Sequence, residues 1–163
     1  MTRTYLERTE APAGPAPAPP AGYRLERASG CPASFYRYLY AEVGRAHHWT
    51  DRLAWSDEQI SAHLACPGVS LHVLGAQGVP AGYFELVRHD DGSVEIAYFG
   101  LLPGFLGRGL GRYLLEAAVA RAFGEGTARV WLHTCTLDHP AALGNYLARG
   151  FRAFRQETYL LGA

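Results

Sequence analysis

The chain has 163 residues, 48% of them hydrophobic and 12% aromatic, so it is long enough for one domain with a substantial core and too short for two. Its 15 acidic and 15 basic residues cancel to a formal net charge of zero, which gives no argument for binding nucleic acid or a membrane surface. Every basic residue is an arginine, which excludes Schiff-base chemistry by a lysine.

The cysteines and the first residues bear on the cellular compartment. Cys31, Cys66 and Cys135 lie far apart without a C-x-x-C pair, so neither a disulfide framework nor a zinc knuckle is indicated. Arg3 and Glu7 fall where a signal peptide would need an apolar core, and no apolar run approaches the about 18 residues of a membrane span. We therefore expect a cytoplasmic protein.

The first segment of the chain ends in a proline and alanine tract, APAGPAPAPPA at residues 11–21. Proline fixes its own backbone torsion and has no N–H to donate to a strand ladder, so such a tract stays extended. Residues 1–21 are predicted to be a flexible tail, and residues 22–163 a single folded domain.

Within that domain, hydrophobic periods of two and of 3.6 residues alternate along the chain. They predict an α/β fold, a mixed sheet with helices packed on it and no internal repeat. The predicted strands are 23–28, 69–75, 81–89, 94–102 and 128–134, with one or two more in 151–161, and the predicted helices are 34–44, 56–66, 112–123 and 140–149.

A glycine-rich loop joins the strand at 94–102 to the helix at 112–123. It contains Gly107, Gly109 and Gly111, alternating directly into the helix. Glycine lets bare backbone approach a ligand, and successive N–H groups at a positive helix end attract an anion, so we expect a phosphorylated ligand here.

Two common phosphate-binding motifs do not fit this loop. A dinucleotide-binding fold needs an acidic residue about 20 positions further on, where this chain has Thr127 and Arg129. A Walker loop needs G-K-[ST], which does not occur. A purely structural glycine turn is the remaining alternative.

The loop resembles the central motif of the GNAT superfamily of acetyl-CoA-dependent N-acetyltransferases. That motif is a strand, a proline and Q/R-x-x-G-x-G/A opening a helix, and residues 106–111 (LGRGLG) occupy its place. Leu106 stands where glutamine or arginine is usual. Because the family holds the pyrophosphate mainly through backbone N–H groups, Arg108 and Arg112 are additional cations available to it.

A second stretch resembles the last helix of the same family, N-x-x-A-x-x-x-Y-x-x-x-G-F. Residues 139–151 fit it, with Tyr146 at the tyrosine position and His139 in place of the asparagine. The resemblance covers about residues 23–161. It implies the GNAT fold: a mostly antiparallel sheet of six to seven strands, splayed at its middle, with about four helices.

The resemblance also implies a cofactor site and a reaction. An amine would attack the acetyl thioester of acetyl-CoA directly, without a metal, while pantetheine pairs with backbone freed by the splayed strands. An N–H near Leu101 would stabilise the oxyanion. The residues implied to bind acetyl-CoA are Phe99, Leu101, Leu102, Gly107, Arg108, Gly109, Leu110, Gly111, Arg112 and His139.

Two catalytic residues are implied by position in the family motifs. Tyr146 would protonate the departing CoA thiolate, and Glu95, in the motif strand, would act as base; the alternatives are a core tyrosine on an amphipathic helix and a glutamate that faces solvent. Glu85 on the neighbouring strand and a chain of waters are alternative bases. His133 and Asp138, at and beyond the end of a splayed strand, are further candidates for a role near the acetyl group, or caps of a loop.

The acceptor pocket is implied to include the loop between the first two helices. Trp49, Asp51 and Arg52 are the expected contacts there, because an aromatic platform with a carboxylate suits an amine; ordinary packing of Trp49 is the alternative. Glu85 and Thr134 are the other expected substrate contacts. His47 and His48 with Asp51 do not have the spacing of a metal site.

Three functions stay open on the sequence. The first is an N-acetyltransferase acting on a primary amine, with a small molecule favoured; the others are an acyl-CoA-binding sensor without turnover and a protein N-acetyltransferase recruited through the tail. Pairing of the last strands between subunits, as in some members of the family, would make a homodimer.

Overall fold

A computed structural model describes residues 1–124 and 126–160 of the chain. Its architecture is a seven-stranded sheet with four α-helices, as predicted. The strands are β1 (Thr2–Arg8), β2 (Tyr23–Arg27), β3 (Val69–Ala76), β4 (Val79–Arg88), β5 (Val94–Leu101), β6 (Val130–Cys135) and β7 (Arg152–Thr158). The helices are α1 (Ala33–Gly44), α2 (Asp57–Ala65), α3 (Leu110–Phe123) and α4 (Ala142–Ala148), with short 3₁₀ turns at Arg45–His47 and Pro103–Phe105.

The sheet has the order β2-β3-β4-β5-β6-β1-β7, and every neighbouring pair is antiparallel except β5 and β6. Those two run parallel and are paired only at Val94 with Val130 and at Glu95 with Trp131. Beyond these two pairs the strands separate, which is the splay expected at the middle of the sheet.

The strand β1 corrects the prediction of a flexible tail over residues 1–21. It lies inside the sheet between β6 and β7, and Leu6 in it is fully buried. The prolines begin only at Pro12, so the residues before them keep their N–H donors. Buried Thr4 and Leu6 alternate with Arg3 and Tyr5, and this period of two could have indicated a strand here.

Helix α3 covers one face of the sheet, and α1 and α2 cover the other. Leu114, Leu115 and Ala118 of α3 are fully buried against β-strand residues such as Ile96, and burying a leucine side chain contributes roughly 1.5–3 kcal/mol. On the other face, aromatic residues such as Tyr36 pack against Tyr83 and Leu71.

Helix α2 begins with a capping box. The Gln59 N–H donates to Ser56 Oγ at 3.1 Å, and the Ser56 N–H donates to Gln59 Oε1 at 2.7 Å. No helix in residues 1–124 or 126–160 is long and apolar enough to cross a membrane. Leu161, the end of the predicted final strand region, lies outside the described residues.

Candidate acetyl-transfer site

A cavity of about 550 Å³ opens where β5 and β6 separate. The start of α3 bounds one end of it, the loop after α1 bounds the other, and α4 lies along its side. Of the residues expected in the site, those that line this cavity are Trp49, Asp51, Phe99, Leu101, Gly111, Arg112, His139 and Tyr146.

A bulge in β5 creates the separation. Glu85 is paired with Tyr98 and Leu86 with Ile96, so Ala97 has no partner on β4 and the strand bends there. The Leu102 N–H donates to the Ala81 carbonyl at 2.8 Å. Because backbone groups alternate in direction along a strand, those of Leu101 face the opposite edge, toward the opening beside β6. Leu102, expected to bind cofactor, instead has its N–H engaged by β4 and its side chain buried.

The glycine loop has the backbone of an anion cradle. Gly107 (φ 75°) and Gly109 (φ 76°) adopt the left-handed conformation that other residues resist, and α3 begins immediately after them with no side-chain cap. The first-turn N–H groups of a helix have no intrahelical partner, so those of α3 point toward the loop. Gly111 lines the cavity, while the Leu110 side chain is buried in the core.

Three side chains around the loop supply charge or contact surface. The Arg108 guanidinium lies 5.2 Å from the centre of the Phe105 ring, outside the cavity lining, and Arg112 forms a 3.1 Å ion pair with Glu116 at the cavity edge. Leu106 is 55% exposed and lines the cavity, so an apolar group takes the position where the motif usually has glutamine or arginine.

Tyr146 reaches the cavity from α4. Its ring packs edge-on against Phe151, with centroids 6.3 Å apart and an interplanar angle of 67°. Burial, and to a lesser degree the Asp138 carboxylate, raises the pKa of the Tyr146 hydroxyl well above its ordinary value. The hydroxyl is therefore protonated at neutral pH and chemically suited to donate a proton.

Asp138 links β6, α4 and the loop after α1. Its carboxylate accepts hydrogen bonds from the Thr134 hydroxyl and, at 3.0 Å, from the Cys135 N–H, and lies 3.6 Å from His47 Nδ1. Burial alone would raise the pKa of Asp138, but these hydrogen bonds outweigh it and hold the pKa below its usual value. Thr134, expected to contact substrate, is instead buried, does not line the cavity and donates to Asp138.

His133 lies in the cavity between its two ends. It stands on the β6 face away from α3, and its ring lies 5.5 Å from that of Tyr5 on β1. Burial and the Arg3 charge lower the pKa of His133, against opposing effects of Glu95 and Asp138. The imidazole is therefore neutral at pH 7 and has a nitrogen lone pair that can accept a proton.

The two carboxylates expected as bases lie outside the cavity lining. Glu95 has 15% of its side chain exposed and lies 2.9 Å from His89 Nε2. Glu85 is fully buried: it accepts hydrogen bonds from Tyr36 at 2.7 Å and from Arg52 at 2.6 Å, and lies 3.0 Å from His63 Nε2. A carboxylate with all these partners has no access to an acceptor, so the expected contact of Glu85 with substrate is not made.

The end of the cavity opposite the glycine loop is built mainly from the loop after α1. Trp49 packs edge-on against Tyr98, with centroids 4.8 Å apart, and its other side stacks on His47 at 5.4 Å. Asp51 is exposed beside it, whereas Arg52 turns away to bind Glu85. Across residues 1–124 and 126–160, no three His, Cys, Asp or Glu side chains form a group that could hold a metal ion.

Arg3 is a charged cavity residue that sequence reasoning did not identify as part of the site. It enters from β1, where it is paired with Cys135 of β6. Met1 also lines the cavity. The strand alternation of residues 2–8 could have predicted a strand, but not which strands it would join.

The sequence matches known acetyltransferases. The family model described as "Acetyltransferase (GNAT) family" matches residues 34–151. An uncharacterized N-acetyltransferase of Mycobacterium tuberculosis is 32% identical over 108 residues, which are 66% of this chain and 69% of that protein. A mycothiol acetyltransferase of Nocardia farcinica is 33% identical over 132 residues, 80% of this chain and 41% of that protein.

Solved structures share the fold at low sequence identity. A GCN5-related N-acetyltransferase from Sphaerobacter thermophilus superposes with a TM-score of 0.73 and 17% identity, covering 95% of this chain and 49% of that one. An aminoglycoside acetyltransferase from an uncultured soil metagenomic sample gives 0.68 and 14%, covering 87% and 96%. At such identities the likeness shows the fold alone, and this chain spans only about half the length of the first of these structures.

Proposed function

The chain belongs to the GNAT acetyltransferase family, and from this membership we propose that it transfers an acetyl group from acetyl-CoA to a primary amine on a small molecule. One observation carries the proposal: the opening between β5 and β6 joins the glycine loop, Tyr146 and the Trp49 loop in one cavity. Its volume of about 550 Å³ lies in the range of small-molecule sites.

The cofactor end of the cavity fits the phosphates and the pantetheine arm of acetyl-CoA. The amides of residues 107–111 and the first turn of α3 would hold the pyrophosphate, with Arg108 and Arg112 nearby as cations. Phe99 and Leu101 would pair with the arm along the free edge of β5, and His139 borders it at the start of α4.

Acetyl-CoA, when bound, supplies the activated thioester. The residues of the chain would then stabilise charge and move protons. The Leu101 N–H would donate to the carbonyl oxygen as negative charge develops on it, and Tyr146 would donate its phenolic proton to the leaving sulfur. Neither step requires a metal.

A base is needed because a primary amine, with a pKa of about 10, is mostly protonated at neutral pH. Within the cavity, His133 is the neutral group best suited to accept that proton. Glu95, the base implied by the family resemblance, is the second candidate. It lies on β5 beside Trp131, on the sheet face that also carries His133.

Substituting these two residues is expected to separate their roles. His133→Gln should lower kcat/KM for the amine by about 100-fold or more, the usual size of a general-base contribution, and Glu95→Gln by less. The pH dependence of kcat/KM, measured with saturating acetyl-CoA, should lose its acidic limb in His133→Gln. If Glu95→Gln loses more kcat/KM than His133→Gln does, and His133→Gln keeps the acidic limb, Glu95 is the general base.

Trp49 and Asp51 would receive the acceptor. The indole offers an apolar face beside Tyr98, and the exposed carboxylate attracts an ammonium group as it enters. Glu85 and Thr134 would act indirectly. Glu85 accepts a hydrogen bond from Arg52 in this loop, and Thr134 donates one to Asp138. A homodimer is part of the proposal because β7 is an exposed edge strand able to pair with another subunit.

The function is tested by measuring thiol release from acetyl-CoA with a panel of amines. The wild type should acetylate at least one amine. Gly109→Ala should acetylate it more slowly when the concentration of acetyl-CoA is low. A left-handed conformation costs an alanine roughly 1–2 kcal/mol, or about 5-fold to 30-fold in acetyl-CoA affinity if the loop relaxes.

Gly14→Ala is the matched control, because Gly14 also has a positive φ, 86°, but lies in the proline tract. It should leave the affinity for acetyl-CoA unchanged. Saturable CoA binding without turnover on any amine would contradict the enzyme proposal and favour an acyl-CoA sensor.

A further inference from the structure

Arg3 brings a cation to the acceptor end of the cavity. In β1, Arg3 is paired with Cys135 and Tyr5 with His133. Because side chains two residues apart on a strand share a face, the Arg3 side chain lies on the same sheet face as His133, the proposed base. Its guanidinium lies 5.2 Å from the centre of the Tyr159 ring. The cation is thus held on the wall of the cavity by its own strand and by an aromatic ring.

The charge of Arg3 is not neutralised by a direct partner. None of the ion pairs formed within residues 1–124 and 126–160 includes Arg3, and its Nε is buried without a hydrogen-bond partner. By contrast, Arg52 and Arg112, which also lie near the cavity, are each paired with a glutamate. A buried donor without a partner is costly, so an anion reaching Arg3 would gain more than one reaching an exposed arginine.

Carboxylates of the chain lie elsewhere around the same space. Asp51 stands on the loop after α1, and Asp138 is held by Thr134, Cys135 and His47 at the end of β6. The acceptor end therefore presents an arginine without an ion-pair partner together with acidic groups. That distribution is complementary to a molecule carrying both an ammonium and an anionic group.

We propose that the acceptor is an amine that also carries a carboxylate, and that Arg3 binds this carboxylate and so selects the acceptor. The inference rests on the proposed acetyltransferase function and adds the substrate class to it. A planar guanidinium matches a carboxylate in a two-point hydrogen-bonded pair, which gives orientation as well as affinity. Held at Arg3, the acceptor would be anchored on the same sheet face as His133.

Matched acceptor pairs test the proposal. A short, a medium and a long ω-amino acid, an α-amino acid and a dipeptide are each compared with the corresponding amide, in which the carboxylate is neutral. The wild type should prefer at least one acid over its amide by about 10-fold to 100-fold in kcat/KM. Arg3→Gln should bring that ratio close to one, and Arg3→Lys, which keeps the charge without the planar fork, should retain part of it.

Arg24→Gln is the matched control, since Arg24 lies on the edge strand β2 with 84% of its side chain exposed. It should leave the acid-to-amide ratio of the wild type unchanged. Thermal melting of each variant checks that the fold is intact. The dipeptide and amino-acid arms distinguish a peptide carboxylate from that of a free amino acid.

A second readout separates this inference from the proposed function. The same pairs are titrated by calorimetry into the protein with CoA, which requires no turnover, and Arg3→Gln should weaken binding of the preferred acid by a similar factor. If the wild type turns over amines but has equal kcat/KM for acids and amides, the role of Arg3 is overturned and the acetyltransferase proposal stands. If the wild type binds the carboxylate, Arg3→Gln does not, and the wild type turns over no amine, the carboxylate subsite stands and the acetyltransferase proposal is overturned.

Discussion

Tyr146→Phe is expected to lower kcat by about 100-fold or more while leaving the affinity for acetyl-CoA nearly unchanged. Tyr146 lines the cavity, and the change removes only its hydroxyl and keeps the ring that packs against Phe151. General acid catalysis by one positioned group contributes typically 10²–10⁴-fold, so the loss belongs to the chemical step. Single-turnover acetylation and equilibrium binding of acetyl-CoA measure the two effects separately.

The pH dependence gives a second expectation for the same residue. Because burial raises the pKa of Tyr146, the hydroxyl stays protonated at pH 10, where an ordinary tyrosine is about half ionised. Deprotonation of Tyr146 should therefore cause no fall in wild-type kcat below about pH 10.

Tyr38→Phe is the control for this substitution, since Tyr38 is 44% exposed on α1 and does not line the cavity. Its kcat should equal that of the wild type. Unchanged turnover in Tyr146→Phe, with an intact fold, would remove the proposed role of Tyr146 as proton donor.

Arg52→Met is expected to destabilise the protein by about 3–5 kcal/mol, a large part of the stability of a small domain. Arg52 donates to both oxygens of Glu85, at 2.6 and 2.8 Å, and the substitution leaves that carboxylate fully buried with fewer partners. Urea unfolding at pH 7 measures the loss. Arg24 is an exposed arginine, so Arg24→Met is the control and should change the free energy of unfolding by no more than about 0.5 kcal/mol.

A double substitution shows whether the loss comes from the unpaired charge. Replacing Arg52 by Met and Glu85 by Leu together should recover much of the stability, because an apolar pair has no charge to leave unsolvated. A double variant as unstable as Arg52→Met alone would assign the loss to packing of the arginine stem against Trp55 and Tyr98 instead.

The effect of Arg52→Met also depends on pH. Burial would raise the pKa of Glu85, but the hydrogen bonds from His63, Arg52 and Tyr36 together lower it below its ordinary value. A depressed folded-state pKa means that the contribution to stability is present above the unfolded pKa of about 4.3 and is lost as pH falls through the folded value. The stability gap between wild type and Arg52→Met should therefore narrow below about pH 4.

Much of the fold follows from local pattern. The approximate boundaries of β2 to β7, the capping box at Ser56 and the glycine loop depend on residues a few positions apart, so periodicity and turn chemistry were sufficient to predict them. Gly109 is the clearest case, because a left-handed residue opening a helix almost demands glycine. The second motif correctly placed Tyr146 on a helix, next to the strand that begins after Phe151.

The neighbours of each side chain were beyond the reach of sequence. Glu85 was a candidate for the site because it lies on the strand next to the motif strand, but the partners that bury it come from α1, α2 and the loop between them. Whether a carboxylate faces a cavity or a cluster of donors depends on how helices cross the sheet, and no local period encodes that.

By itself, the sequence determined the glycine loop and the position of Tyr146 on a helix, since these depend on short-range backbone requirements, and the GNAT architecture followed from the resemblance of its two motifs to that family. Only the tertiary structure decided that β1 lies between β6 and β7 and that Arg3 and His133 meet in one cavity. Arg3 and its partner Cys135 are 132 residues apart in the sequence. Their pairing depends on strand order, which arises when the whole sheet assembles and buries its two faces.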